Sequence, residues 1–154
     1  MTAILRPGQT CWHQAEARRF SWVVDGDAYF AAVRHAIARA RRQVFILGWD
    51  LDSRVALLRG ERAERAGAAG QSLRDFLAAC LRANRHLHIH VLLWDYTLLY
   101  ALDREFAPAL KLHWNTPRRL RAVSDDQVPV GGSHHQKVVV VDDRVAFVGG
   151  LDIT

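Results

Sequence analysis

Two apolar runs organise the chain. Val44-Phe45-Ile46-Leu47-Gly48-Trp49 and Ile89 to Trp94 have the length and β-branched content of buried strands. Each follows an amphipathic stretch. From Ala28 to Arg42, Phe30, Val33, Ile37 and Ala40 recur at helical spacing, with Arg34, Arg39, Arg41 and Arg42 elsewhere. That stripe predicts a helix capped by Asp25 or Asp27, with cations at the end its dipole favours. Ser72 opens a second helix, Leu73 to about Asn84, packing through Leu73, Phe76, Leu77, Cys80 and Leu81. Trp22-Val23-Val24 predicts a short strand, and Gly60 to Gly70 an exposed loop or a mobile helical turn. Leu98 to Phe106 predicts a short helix. Pro108 and Pro117 then bracket an irregular, basic connection holding His113-Trp114-Asn115. Arg119 to Val123 predicts a strand, and Val130-Gly131-Gly132 a turn. Lys137 to Val141 and Val145 to Val148 form a hairpin through Asp142-Asp143-Arg144. The alternation predicts an α/β domain with a mixed β-sheet flanked by helices. Residues 1–20 are expected as an N-terminal extension, and residues 21–154 as the catalytic lobe.

Composition changes this picture little. At 154 residues, half of them apolar and 24% charged, the chain has the makings of one globular domain. No apolar run approaches the roughly 20 residues that span a bilayer. Met1 to Trp22 carries Arg6, Glu16, Arg18 and Arg19 without a continuous apolar core, unlike a signal peptide. Cys11 and Cys80 are expected as unpaired thiols, and the cytoplasm as the location, with peripheral membrane contact as the alternative. The net charge is +5, and of 21 basic residues only Lys111 and Lys137 are lysines. The bland reading of that bias is a GC-rich coding sequence that favours arginine codons. Affinity for phospholipid headgroups or nucleic acid is the functional reading, and charge of this size does not choose between them.

The chemistry is concentrated at the end. Residues 133–154 contain His135-x-Lys137, then Asp142 after four residues, then Gly149-Gly150 after six more. In an extended segment residues two apart share a face, about 6.6 Å from each other. His135 and Lys137 thus project together. A neutral imidazole suits attack on phosphorus near pH 7, and an ammonium beside it neutralises phosphate charge. Gly149 and Gly150 would let backbone approach a phosphate closely. Asp142 belongs to the motif, but at the hairpin end it is expected to hold the turn. His134 faces the opposite side and is expected to pack or hydrogen-bond. Asp50 and Asp95, ending the two buried runs, lie where α/β sites are built, though capping of the next turn explains them as well. His86, His88 and His90 alternate like ligands on one strand face, but no Cys or carboxylate joins the spacing, so a solvent-facing polar side is expected and no metal site. Trp49, Trp94 and Trp114 are expected in the core or a pocket wall.

Together the residues Ser133-His134-His135-Gln136-Lys137, Asp142 and Phe147-Val148-Gly149-Gly150-Leu151-Asp152 resemble the signature of the phospholipase D superfamily. The segments Ile46 to Ser53 and Val91 to Tyr96 look like those of its bacterial phospholipase D and cardiolipin synthase-like members. The resemblance implies one lobe of a two-lobe fold, and a phosphodiesterase that hydrolyses or transfers a phosphatidyl group through a phosphohistidine. His135 would be the nucleophile, Lys137 would bind phosphate oxygens with Gly149, Gly150 and Asp152, and Asp142 would complete the catalytic set. No metal or other cofactor is implied. A histidine of a second His-x-Lys copy would protonate the leaving alcohol, supplied by a missing C-terminal half or by a dimer partner. The chain holds one copy, which suggests a half-site fragment with little activity alone. A homodimeric phosphodiester nuclease and a non-catalytic phosphate- or membrane-binding remnant are the alternatives.

Overall fold

The computed structural model describes residues 3–95, 108–113, 116–129 and 132–154. The helix expected at Leu98 to Phe106, the pair Trp114-Asn115 and most of the turn at Val130-Gly131 lie outside them. The described elements run α1 (Gly26–Ala38), β1 (Gln43–Gly48), α2 (Gly60–Arg65), α3 (Leu73–Ala83), β2 (His88–Trp94), α4 (Pro108–His113), β3 (Leu120–Asp125), β4 (Val138–Val141) and β5 (Val145–Val148). The strands form one mixed sheet in the order β3-β2-β1-β4-β5. β1 is parallel to β2, and β2 to β3, while β4 is antiparallel to both β1 and β5. The chain is therefore α/β.

One face of the sheet carries Val44, Ile46, Ile89, Val91, Leu93, Leu120, Val139 and Val141, all buried. It packs on Val33 and Ile37 of α1 and on Leu73, Phe76, Leu77 and Leu81 of α3. Full burial of each such aliphatic side chain contributes roughly 1.5–3 kcal/mol, so this face supplies most of the stabilisation. The helices α1 and α3 form where the apolar spacing predicts them. Asp25, at φ 68°, accepts from Ala28 N to cap α1, and Ser72 accepts from Asp75 N to cap α3. Arg119 closes α3 from outside: its guanidinium donates to the carbonyls of Leu81, Asn84 and Leu87 at 2.6–2.8 Å. That arginine is spent on backbone carbonyls rather than left to bind an anionic surface.

Three expectations are corrected. Trp22-Val23-Val24 forms no strand: the sheet's edges are β3 and β5, and without a partner ladder the apolar triplet stays exposed. Along residues 3–24 the sole bridge joins Pro7 and Cys11. The connection expected to be irregular after Pro108 is instead α4, with Leu112 fully buried; proline is well accommodated in a first helical turn. Finally, α1 ends at Ala38 rather than Arg42. Arg39 N–H and Ala40 N–H turn back to Ala36 O and Ile37 O, while Arg41 N–H and Arg42 N–H leave for the Asp142 carboxylate. In the Gly60 to Gly70 stretch, α2 is closed by Gly67 at φ 60° and a bond from Ala68 N to Ala63 O, a Schellman ending that glycine makes cheap.

Candidate active site

Because β4 runs antiparallel to β1 with Leu47 opposite Val138, the residues just before β4 lie beside the end of β1. This places Lys137 and His135 against Trp49. The imidazole of His135 is 5.8 Å from the Trp49 ring centre, and the Lys137 ammonium is 5.7 Å from it. Trp94, at the end of β2, stacks on the other part of this wall at 5.7 Å and 13°. His135 is exposed, whereas Lys137 is only 7% exposed, its Nζ donating to His135 O at 3.4 Å. A strand whose histidine and lysine merely reached for solvent would not bury its ammonium.

Lys137 is held by Asp152. Its Nζ lies 3.1 Å from Asp152 Oδ2, and the two side chains are 6% and 11% exposed. Asp152 Oδ1 in turn accepts from Trp49 N at 3.0 Å and Asp50 N at 3.3 Å. Gly48 makes that approach possible: a Cβ there would sit 3.2 Å from Asp152 Oδ1 and 3.0 Å from Asp50 O. Beyond it, Leu51 bridges Ile153, and Asp52 N donates to Ile153 O at 2.9 Å. The carboxylate is thus fixed from both sides. From α1, Tyr29 packs on Phe147, and burial together with the Asp152 charge holds its hydroxyl pKa above the usual tyrosine value. Sequence reasoning did not single out Tyr29, since neither the apolar stripe of α1 nor a motif includes it.

The other expected residues divide clearly. Gly149 and Gly150 lie beside the site, with Gly149 N donating to Lys137 O at 3.3 Å, and a Cβ on either would meet nothing within 4 Å. Asp142 stands at the opposite end of β4. Its carboxylate accepts from Arg41 N, Arg42 N and Gln43 N at 2.8–2.9 Å, and its own N–H donates to Gln43 O. Its pKa reflects two opposing effects: burial alone would raise it, but the three backbone donors and Arg42 prevail and hold it low. His134 points away from His135, its Nε2 3.0 Å from Asp125 Oδ2 but out of line for a hydrogen bond. Asp50 Oδ1 accepts from Leu51 N, a capping contact. Of the alternating histidines, His90 stacks on Phe45 at 5.0 Å, and His88 contacts the His86 carbonyl. Among the described residues no three His, Cys, Asp or Glu side chains gather to hold a metal.

The Asp142 clamp makes a pH prediction. The folded pKa lies below the unfolded value of about 3.9, so the unfolded chain binds the proton more readily. The contribution is complete above the unfolded value and is lost as pH falls through the folded one. Asp142→Asn is expected to cost about 1–3 kcal/mol at neutral pH, because an amide cannot accept all three N–H groups. Denaturant titrations of the two chains at several pH values should converge as the aspartate of the parent protonates; a difference that persists undiminished at acid pH would refute the clamp.

The Phospholipase D (PLDc) family profile matches residues 36–154. Phospholipase D C of Dictyostelium discoideum is 32% identical over 136 residues, covering 84% of this chain and 8% of that protein. Phospholipase D2 of Bos taurus is 34% identical over 134 residues, covering 86% of this chain and 13% of that protein. The chain therefore spans about a tenth of these relatives' length. In fold it is similar to Nuc, a phospholipase D family member from Salmonella typhimurium, with a TM-score of 0.52 at 13% identity over 80% of this chain and 64% of that one. With the profile matched over most of its residues, including Trp49, His135, Lys137 and Asp152, the chain belongs to the phospholipase D family.

Proposed function

We propose that the chain carries the nucleophilic half of a phosphodiesterase of phospholipase D type, acting on the phosphatidyl group of phospholipids by hydrolysis or transfer. The observation that carries this reading is the pairing of an exposed imidazole, His135, with a buried ammonium, Lys137, on one tryptophan wall. A ring nitrogen of His135 attacks phosphorus, forming a P–N bond as the P–O bond to the leaving alcohol breaks. Lys137 neutralises the non-bridging oxygens, whose negative charge otherwise repels the nucleophile and grows in the five-coordinate transition state. Gly149, whose N–H is engaged by Lys137 O, and Gly150 leave open space beside that cradle through which a phosphate can approach the backbone. Asp142 serves the site from a distance by fixing where β4 meets β1. Asp152, a carboxylate, is assigned to holding Lys137 rather than to binding phosphate directly.

An alcohol leaves only if it is protonated, and Lys137 and Asp152 are engaged with each other. The 154 residues contain a single His-x-Lys. The general acid, which would then activate water or an acceptor alcohol to break the P–N bond, is assigned to a second such pair outside them. The lipid reading is favoured by the N-terminal segment, where Trp12, Phe20 and Trp22 are 95%, 72% and 85% exposed beside Arg18 and Arg19. Indole rings and arginines suit the headgroup layer. Among the described residues no helix is long and apolar enough to cross a membrane, so contact from the surface is the mode proposed.

The test uses an ester that needs no general acid. With bis(p-nitrophenyl) phosphate the leaving group departs as a stable anion, so the half-site alone should release one equivalent of p-nitrophenolate per chain and retain an acid-labile p-nitrophenyl phosphate on histidine. If neither the burst nor the adduct forms, the proposal falls.

A further inference from the structure

We propose that Asp152 selects the charge of the phosphate that Lys137 accepts, admitting a singly charged phosphodiester and disfavouring a doubly charged phosphomonoester. This rests on the reading of Lys137 as the phosphate clamp. Asp152 Oδ2 is 3.1 Å from the Lys137 ammonium, and both side chains are nearly sequestered from water. The carboxylate cannot swing aside, because Oδ1 is tied to the N–H groups of Trp49 and Asp50 and the next residue, Ile153, is bridged to Leu51. Among the described residues Asp152 is the carboxylate paired with Lys137, while His134 faces Asp125. A phosphate oxygen at hydrogen-bond distance from Lys137 would therefore stand within about 6 Å of a fixed negative charge.

At that range the repulsion scales with the charge of the incoming anion. A carboxylate that weakens a monoanion by some factor weakens a dianion by roughly the square of that factor. The neutral pair it forms with Lys137 still offers N–H donors to a diester but has no surplus charge to hold a second negative charge. An asparagine at this position would leave the lysine unbalanced and the site indifferent to that distinction.

The test compares phenyl phosphate with methyl phenyl phosphate by calorimetry at about pH 8, where the monoester carries close to two charges, its second pKa being about 6. Asp152→Asn keeps an oxygen for the Trp49 and Asp50 N–H groups and removes the charge. It is expected to tighten the diester about fivefold and the monoester about twenty-five-fold, so that the diester preference falls about fivefold. Asp152→Ser, neutral and smaller, should give the same ordering if the asparagine variant folds poorly. Equal changes for both ligands, no change, or weakening of both would overturn the selectivity. Lys137→Met separates this from failure of the underlying reading. It should weaken both ligands; if it weakens neither, the clamp and the selectivity are both overturned, whereas equal shifts in Asp152→Asn with Lys137 dependence intact overturn the selectivity alone.

Discussion

Replacing His135 by alanine is expected to remove the covalent aryl phosphate and to lower the p-nitrophenolate burst by roughly 10³-fold or more, the scale seen when a catalytic nucleophile is deleted. The side chain is exposed and, among the described residues, its ring lies tilted against Trp49, so its loss should barely change stability. The informative control is next door. His134 belongs to the same dipeptide and has the same intrinsic chemistry, yet it faces Asp125. His134→Ala should keep the adduct and nearly all of the burst. Mass measurement of the intact chain before and after mild acid separates the two variants. An adduct that survives in His135→Ala and vanishes in His134→Ala would reverse the assignment.

Lys137→Ala should lower the same burst by about 10²–10³-fold, as loss of one preorganised charge donor does elsewhere. Unlike His135→Ala it should also destabilise the fold. Asp152 would remain 11% exposed with its charge uncompensated, retaining only two backbone donors, and about 1–3 kcal/mol of stability should go. The two effects can be separated. Lys137→Ala combined with Asp152→Asn removes the stranded charge, so thermal stability should recover while the burst stays low. Recovery of the burst in that double variant would show that Lys137 acts only by keeping Asp152 in place. Failure of stability to recover would mean that packing of the lysine stem, not its charge, is what the fold requires.

Much of this site was legible along the chain because its parts are local. The face shared by His135 and Lys137 follows from the two-residue period of an extended segment, and Trp49 and Trp94 end apolar runs whose length identifies them as strands. Roles that depend on partners far along the chain were not legible. Asp152 stands in the motif as a neighbour of the glycines, and nothing in the spacing says that it grips Lys137 and the backbone of residues 49 and 50. Tyr29 stands outside the apolar stripe of Phe30, Val33, Ile37 and Ala40 and belongs to no motif. Arg119 reads as surface charge, and only the folded chain shows it closing α3.

By itself the sequence determined the helices α1 and α3, the strands β1 and β2, the β4–β5 hairpin, the cap at Ser72, the α/β class and the shared face of His135 and Lys137, since each rests on periodicity or short-range hydrogen bonding. Only the tertiary structure decided which aspartate caps α1, where α1 stops, that Trp22 to Val24 finds no ladder, and that Lys137 is already countered by the Asp152 carboxylate. The helix end shows the physical reason. The N–H groups of Arg41 and Arg42 have a helical alternative of their own, and it loses to a charged acceptor at Asp142, a hundred residues away.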